Sequence, residues 1–186
     1  LNAAITYANA VGGNVVIHYP AGLYKHGNIA TKILASRISF VGASSEATVI
    51  DLSAAHGVFL QWGDPTLTTA QAGAESSFES ITVDYGAAPP NTSIFAQIRN
   101  YHRVTFRNVY WRNFQQLLYI GESAAKTASL IKVIGCRGFS ANGGVSAFRL
   151  RFGAGFMLSA GNNFFVNVPV PTRPNPMATL PGTNLI

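Results

Sequence analysis

Short β-forming phrases recurring at intervals in the twenties, one helical stretch at the start and a shortage of charge together predict an all-β chain. The specific expectation is a right-handed parallel β-helix with a short N-terminal capping helix. Ile81, Val104, Ile131 and Phe156 each open a similar phrase and stand 23, 27 and 25 residues apart. A second strand phrase recurs between them, at 95–100, 117–121 and 147–152. Helical solenoids would show a helix in every repeat, and no such pattern occurs here. Charged residues make up 11% of the 186, about half the usual share, whereas helix surfaces are built from Glu and Lys. An antiparallel sandwich is the competing all-β architecture. It would call for Asn-Gly or Asp-Gly hairpin turns, and Asn142-Gly143 is the nearest approach to one.

Taken in order, the chain opens with Leu1, Ala4, Ile5 and Ala8 on one helical face and a stop at Gly12-Gly13. Residues 1–14 therefore read as the capping helix. The start at Leu1, inside a helical pattern, leads us to expect a segment of a longer protein. Val15-Val16-Ile17-His18-Tyr19 is a run of β-formers closed by Pro20-Ala21-Gly22. From there to residue 168 the chain reads as short strands ended by Gly, Asn or Ser, interrupted by a looser stretch at 64–77. Residues 169–186 hold five of the nine prolines and should leave the ladders as an extended exit segment.

Thirteen Lys and Arg against seven Asp and Glu give a formal charge of +6, and nine of the thirteen are Arg. Arginine favours flat, two-pronged contacts to carboxylates or phosphates. The basic run, Lys-rich helix or zinc-ligand spacing of a nucleic-acid binder is missing, so an acidic polysaccharide is the preferred partner for these arginines. Cys136, the single cysteine, lies in an apolar phrase and reads as a buried, inert thiol. No run of 18 apolar residues suggests membrane insertion. His18, His26, His56 and His102 are scattered without metal spacing, so neither a metal nor a cofactor is expected.

The opening third resembles a known family. Ala3-Ala4-Ile5, then Gly12-Gly13-Asn14-Val15-Val16-Ile17, then Tyr19-Pro20-Ala21-Gly22-Leu23-Tyr24 are similar to the first turn of the pectate-lyase-like β-helix superfamily. Ile38-Ser39-Phe40-Val41-Gly42, Thr48-Val49-Ile50 and Ile81-Thr82-Val83-Asp84 resemble its following strands. The family's usual "D-F-G-A-x-G-D-G" segment ahead of the helix does not occur in this sequence. Among members of the superfamily, the low charge and the Ser/Asn/Thr-rich surface look most like a phage tailspike or tail fibre. That resemblance implies a homotrimer on a virion tail or outside the cell, attaching to a bacterial surface polysaccharide and in some members cleaving it.

Alternation places Gln97, Arg99, Tyr119, Arg149 and Arg151 on an outer strip, with Glu122 at a strand end. Amide and guanidinium groups bond sugar hydroxyls and carboxylates, and a tyrosine ring stacks on a pyranose face. Glycosidic hydrolysis needs two carboxylates, and Asp84 and Glu122 are the strand-associated candidates. Asp84 also suits a structural role, bonding the backbone of its own turn. Asp64 and Glu75 stand in the 64–77 insertion. Glycosidase, lyase and a non-catalytic adhesin or fibre module all remain open. Phe40, Phe59, Phe106, Phe139, Phe148, Phe156 and Phe164 fit a stacked interior, and Trp62 and Trp111 fit either core or sugar platform. Asn108, Asn113 and Asn162 are candidates for side-chain ladders between turns of the chain.

Overall fold

The computed structural model describes residues 1–26, 32–34, 37–54, 57–64, 66, 75–87, 93–121, 128–140, 146–150, 157–160 and 163–166. Within them the chain is all β apart from one helix, α1 (Asn2–Val11). Ile5 and Ala8 are buried against the core, as the helical spacing predicts. Gly12 ends the helix at φ 69°, and its N–H reaches back to the Ala8 carbonyl at 3.2 Å.

The strands then come in rounds. The first round is β1 (Val15–Tyr19), β2 (Gly22–Lys25) and β3 (Lys32–Leu34); the second is β4 (Ile38–Gly42), β5 (Thr48–Asp51) and β6 (Val58–Trp62). The third is β7 (Ser76–Glu79), β8 (Thr82–Asp84) and β9 (Ile94–Ile98). The fourth adds a two-residue bridge, β10 (Tyr101–His102), before β11 (Val104–Arg107), β12 (Tyr110–Arg112) and β13 (Gln116–Ile120). The fifth repeats this with β14 (Ala128–Ser129), β15 (Ile131–Ile134), β16 (Arg137–Phe139) and β17 (Ser146–Leu150), and β18 (Met157–Ala160) and β19 (Phe164–Val166) follow.

Each round gives one strand to each of three sheets. The first sheet runs β1-β4-β7-β11-β15-β18, the second β2-β5-β8-β12-β16-β19 and the third β3-β6-β9-β13-β17. Every pairing among the described residues is parallel, which removes the antiparallel sandwich. The repeat holds among the described residues, but one of its four anchors shifts and another lies outside them. Val104 and Ile131 lie in the first sheet, while Ile81 falls at the corner between β7 and β8. Ile131 pairs with Met157, and Phe156 lies outside the described residues. One step is long: Phe40 pairs with Phe78, 38 residues on, because the looser stretch is inserted there.

The interior is where the three sheets meet. The Phe95 ring, from the third sheet, lies 5.1 Å from Phe78 and 6.2 Å from Phe106 of the first, and 5.7 Å from Trp111 of the second. Trp62 packs edge-on against Phe40 and Phe106. Both tryptophans are fully buried and belong to the core. Phe40, Phe59 and Phe106 are buried as expected, and Phe148 packs partly buried against them. Phe139 departs from the expectation, being 38% exposed. Gly138 takes the inward position of β16, in register with Trp111, so alternation turns Phe139 to the outer face. Cys136 is fully buried, and burial pushes its thiol up to about 11, so it is inert at neutral pH.

Corners between sheets are tight. Gly63 leaves β6 at φ 93°, and a Cβ there would stand 1.8 Å from the Arg99 carbonyl oxygen of the next round. Gly57 also has a positive φ, 75°, but a Cβ would meet nothing within 4 Å. Gly57→Ala should therefore cost only about 1–2 kcal/mol for the left-handed backbone. Gly63→Ala should cost at least about 2 kcal/mol more, or abolish folding, because two backbones are forced apart. Urea denaturation of both variants checks this, and equal midpoints would contradict the close approach of the rounds.

Candidate functional site

The outer column of the third sheet is set by register. Gln61 pairs with Gln97, Gln97 with Tyr119, and Tyr119 with Arg149. The Arg149 guanidinium lies 5.4 Å from the Tyr119 ring centroid, and that of Arg99 lies 5.8 Å from the same ring. The sequence strip thus comes together in four of its members. A cation held over an aromatic face is oriented at little further entropic cost. Arg149 is exposed, and no carboxylate partners it among the described residues. Tyr119 and Arg99 are half-buried.

Gln97 differs from expectation. It is only 7% exposed, and Gln61 in the same column is 6% exposed, with its amide donating to the Gly63 carbonyl at 3.1 Å. Strand alternation identifies the face but not what covers it, so the amide end of the column is shielded while the arginine end is open. Arg151 and Glu122 lie outside the described residues.

Asp84 sits in the outer column Lys25, Asp51, Asp84, Arg112 and Phe139 of the second sheet. Its Oδ1 accepts from the Gly86 N–H at 2.9 Å and from Asn113 Nδ2 at 3.2 Å, and its Oδ2 lies 2.9 Å from Arg112 Nη2. Both oxygens are therefore engaged, one on its own turn as the residue order suggested and the other on the next round. Asp51 repeats the turn bond to Ser53 N–H at 2.9 Å. The Ser53 hydrogen bond, with help from Lys25, holds Asp51 below the ordinary carboxylate range. An acid catalyst needs the opposite shift.

On the first sheet, Glu75 Oε1 accepts from the Thr105 hydroxyl and from Lys132 Nζ at 3.2 Å, clamping three successive rounds. Glu79 stands 4.0 Å from Arg107. Glu75 and Glu79 are four residues apart on one extended stretch, roughly 13 Å along the strand. That exceeds the span over which paired carboxylates work on a glycosidic bond. His102 Nδ1 and Ser129 Oγ are hydrogen-bonded across neighbouring rounds. Burial, and then Arg103, lower the His102 pKa, so its ring is neutral at physiological pH. Of the expected ladder asparagines, Asn113 donates to Asp84 of the preceding round, while Asn163, which was not among them, bonds the backbone at Cys136 and Val133. Asn162 lies outside the described residues.

A second cluster on the second sheet escaped the sequence reading. Tyr110 pairs with Arg137 and Arg112 with Phe139. The Arg137 and Arg112 guanidinium groups lie 4.9 and 5.9 Å from the Tyr110 centroid. The available signal was the phrase Arg137-Gly138-Phe139, in which a central glycine facing inward sends both neighbours out.

Among the described residues there is no group of three or more His, Cys, Asp or Glu that could hold a metal, and no helix is long and apolar enough to cross a membrane. No protein-family model matches the chain. No curated protein matches it either. Among solved structures it is similar to ORF18 of Geobacillus virus E2, with a TM-score of 0.52 and 19% identity over 86% of this chain and 35% of that one. The chain thus spans about a third of the length of that phage protein, and the likeness is one of fold.

The Thr105 hydroxyl, and then Lys132, hold Glu75 below the ordinary carboxylate range. A depressed folded value means stability that is complete above the unfolded range and fades as pH falls toward the folded value. Glu75→Gln should therefore lower stability at pH 7 by less than about 1 kcal/mol, since the pair is exposed. Thermal melts from pH 7 downward should show the gap closing in acid, and a constant gap would remove the clamp from the account.

Proposed function

We propose that the three parallel sheets wind as a right-handed parallel β-helix of the pectate-lyase-like kind, whose third sheet recognises an acidic polysaccharide on a bacterial surface. The observation that carries this reading is Arg149, exposed, without a carboxylate partner among the described residues and oriented over Tyr119 by the register of β13 and β17. A guanidinium so held offers two parallel N–H donors to a sugar carboxylate. Arg99, on the same ring, adds a second cation within reach of the next sugar unit. The resemblance of the opening third to phage tailspikes and tail fibres is what suggests a place on a virion tail, host attachment as the role and a homotrimer as the assembly.

Recognition rather than cleavage is what the described residues favour. Asp84 is engaged at both oxygens, and Asp51 and Glu75 are both held below the ordinary carboxylate range. The catalytic pairing of Asp84 with Glu122 is the alternative, and the same assay addresses it.

Capsular polysaccharides and lipopolysaccharides are incubated with the chain and followed for binding, for reducing ends and for unsaturated-uronate absorbance. Arg149→Ala with Arg151→Ala should weaken binding of an acidic glycan about tenfold or more, the scale of one lost charge-assisted pair. Unchanged affinity rejects this face. New reducing ends or unsaturated uronate, lost in Asp84→Asn, would transfer the reading to an enzyme.

A further inference from the structure

The outer face of the second sheet differs from that of the third, and its composition is unusual for this molecule. Phe139 is 38% exposed, whereas Phe40, Phe59, Phe78, Phe95, Phe106 and Phe114 are all buried. It lies in register with Arg112, and the adjacent register pair is Tyr110 with Arg137. Neighbouring strands are about 4.8 Å apart, and alternate residues along a strand are about 6.6 Å apart. The four side chains therefore stand at the corners of a rectangle, aromatic on one diagonal and cationic on the other. Its dimensions are comparable to one pyranose unit.

The two arginines are not equivalent. Arg112 is committed to Asp84, 2.9 Å away, and is thereby fixed in place. Arg137 is exposed, lies 4.9 Å from the Tyr110 centroid and has no carboxylate partner among the described residues. Aromatic contact orients this guanidinium while leaving its donors in solvent. An apolar ring beside it, kept out of the core by the inward Gly138, supplies a surface for the C–H face of a sugar.

We infer that Tyr110, Arg112, Arg137 and Phe139 form a second carbohydrate site, one that takes a single carboxylate-bearing sugar, with the carboxylate on Arg137 and the ring on Phe139. Charge argues against nucleic acid as the occupant. The same column continues into Asp84 and Asp51, so a duplex, with a phosphate charge about every 1.7 Å of its axis, would run onto two carboxylates. A uronate chain carries only one carboxylate per sugar and can turn its hydroxyls, which donate hydrogen bonds, toward Asp84 and Asp51.

The test uses the full chain, oligogalacturonate, its methyl-esterified counterpart and a short DNA duplex, with affinities measured by titration calorimetry. Oligogalacturonate should bind and its ester should bind at least tenfold more weakly. Arg137→Ala and Phe139→Ala should each lose at least tenfold in affinity. Arg137→Lys should recover only part of it, because the forked donor is gone. Unaltered melting temperatures in these surface variants would show that the fold survives. Arg149→Ala is measured in parallel and separates the two faces. Loss in Arg149→Ala alone overturns the second-sheet site and leaves the third-sheet reading standing. Loss in the Arg137 and Phe139 variants alone does the reverse. Failure of the unaltered chain to bind oligogalacturonate, or tighter binding of DNA that Arg137→Ala abolishes, overturns the inference.

Discussion

Register between parallel strands is the constraint on which the rest of this molecule depends. Parallel pairing aligns Val83 with Trp111 and Trp111 with Gly138, and Phe40 with Phe78 and Phe78 with Phe106. Because side chains alternate, a slip of one residue in any round would expel an aromatic ring and bring a charge inward. The rings from three sheets that converge around Phe95 resist such a slip. Each edge-on or tilted pair adds about 0.5–1.5 kcal/mol beyond simple burial. The apolar interior thus does more than stabilise; it sets which outer residues become neighbours.

The corners translate that register from one sheet to the next. At the corner after the first sheet, Ser80, Asn108 and Gly135 all adopt positive φ, at 58°, 50° and 60°. At the corner after the second, Asp51 and Asp84 bond the N–H two residues on. These are local turn devices, but they also reach across rounds, since Asp84 holds Asn113 and Arg112 as well. Few charges are needed because short polar side chains satisfy the backbone where the sheets bend. The small charged fraction and the Asn/Ser-rich turns are two consequences of one architecture.

Both outer clusters arise from the same step in the stack. Between the fourth and fifth rounds a tyrosine is followed in register by an arginine, Tyr110 by Arg137 and Tyr119 by Arg149. The members of each pair are far apart in the sequence, so the contact exists only because parallel pairing sets their strands side by side. Much of the first strip was nonetheless legible, because Tyr119 and Arg149 follow the alternation of β13 and β17, and Arg99 comes directly after β9. The shielding of Gln97 was not legible, since burial of an outward residue depends on what lies over the sheet. Phe139 was misread because phenylalanine in an apolar chain is ordinarily interior, and its outward turn depends on Gly138 occupying the inward place above Trp111.

By itself the sequence determined the kind of building unit: one short N-terminal helix with a glycine exit, short strands with an inner and an outer face, and corners of Gly, Asn, Ser and Asp. Those features are local, governed by side-chain alternation and by which residues tolerate a tight bend. Only the tertiary structure decided which strand lies on which and at what offset. The rounds differ in length, from 22 residues between Gln97 and Tyr119 to 38 between Phe40 and Phe78, so no fixed period in the chain could specify the pairing. The offset is selected by the fit of large rings from three sheets in one interior, a condition that no single segment contains.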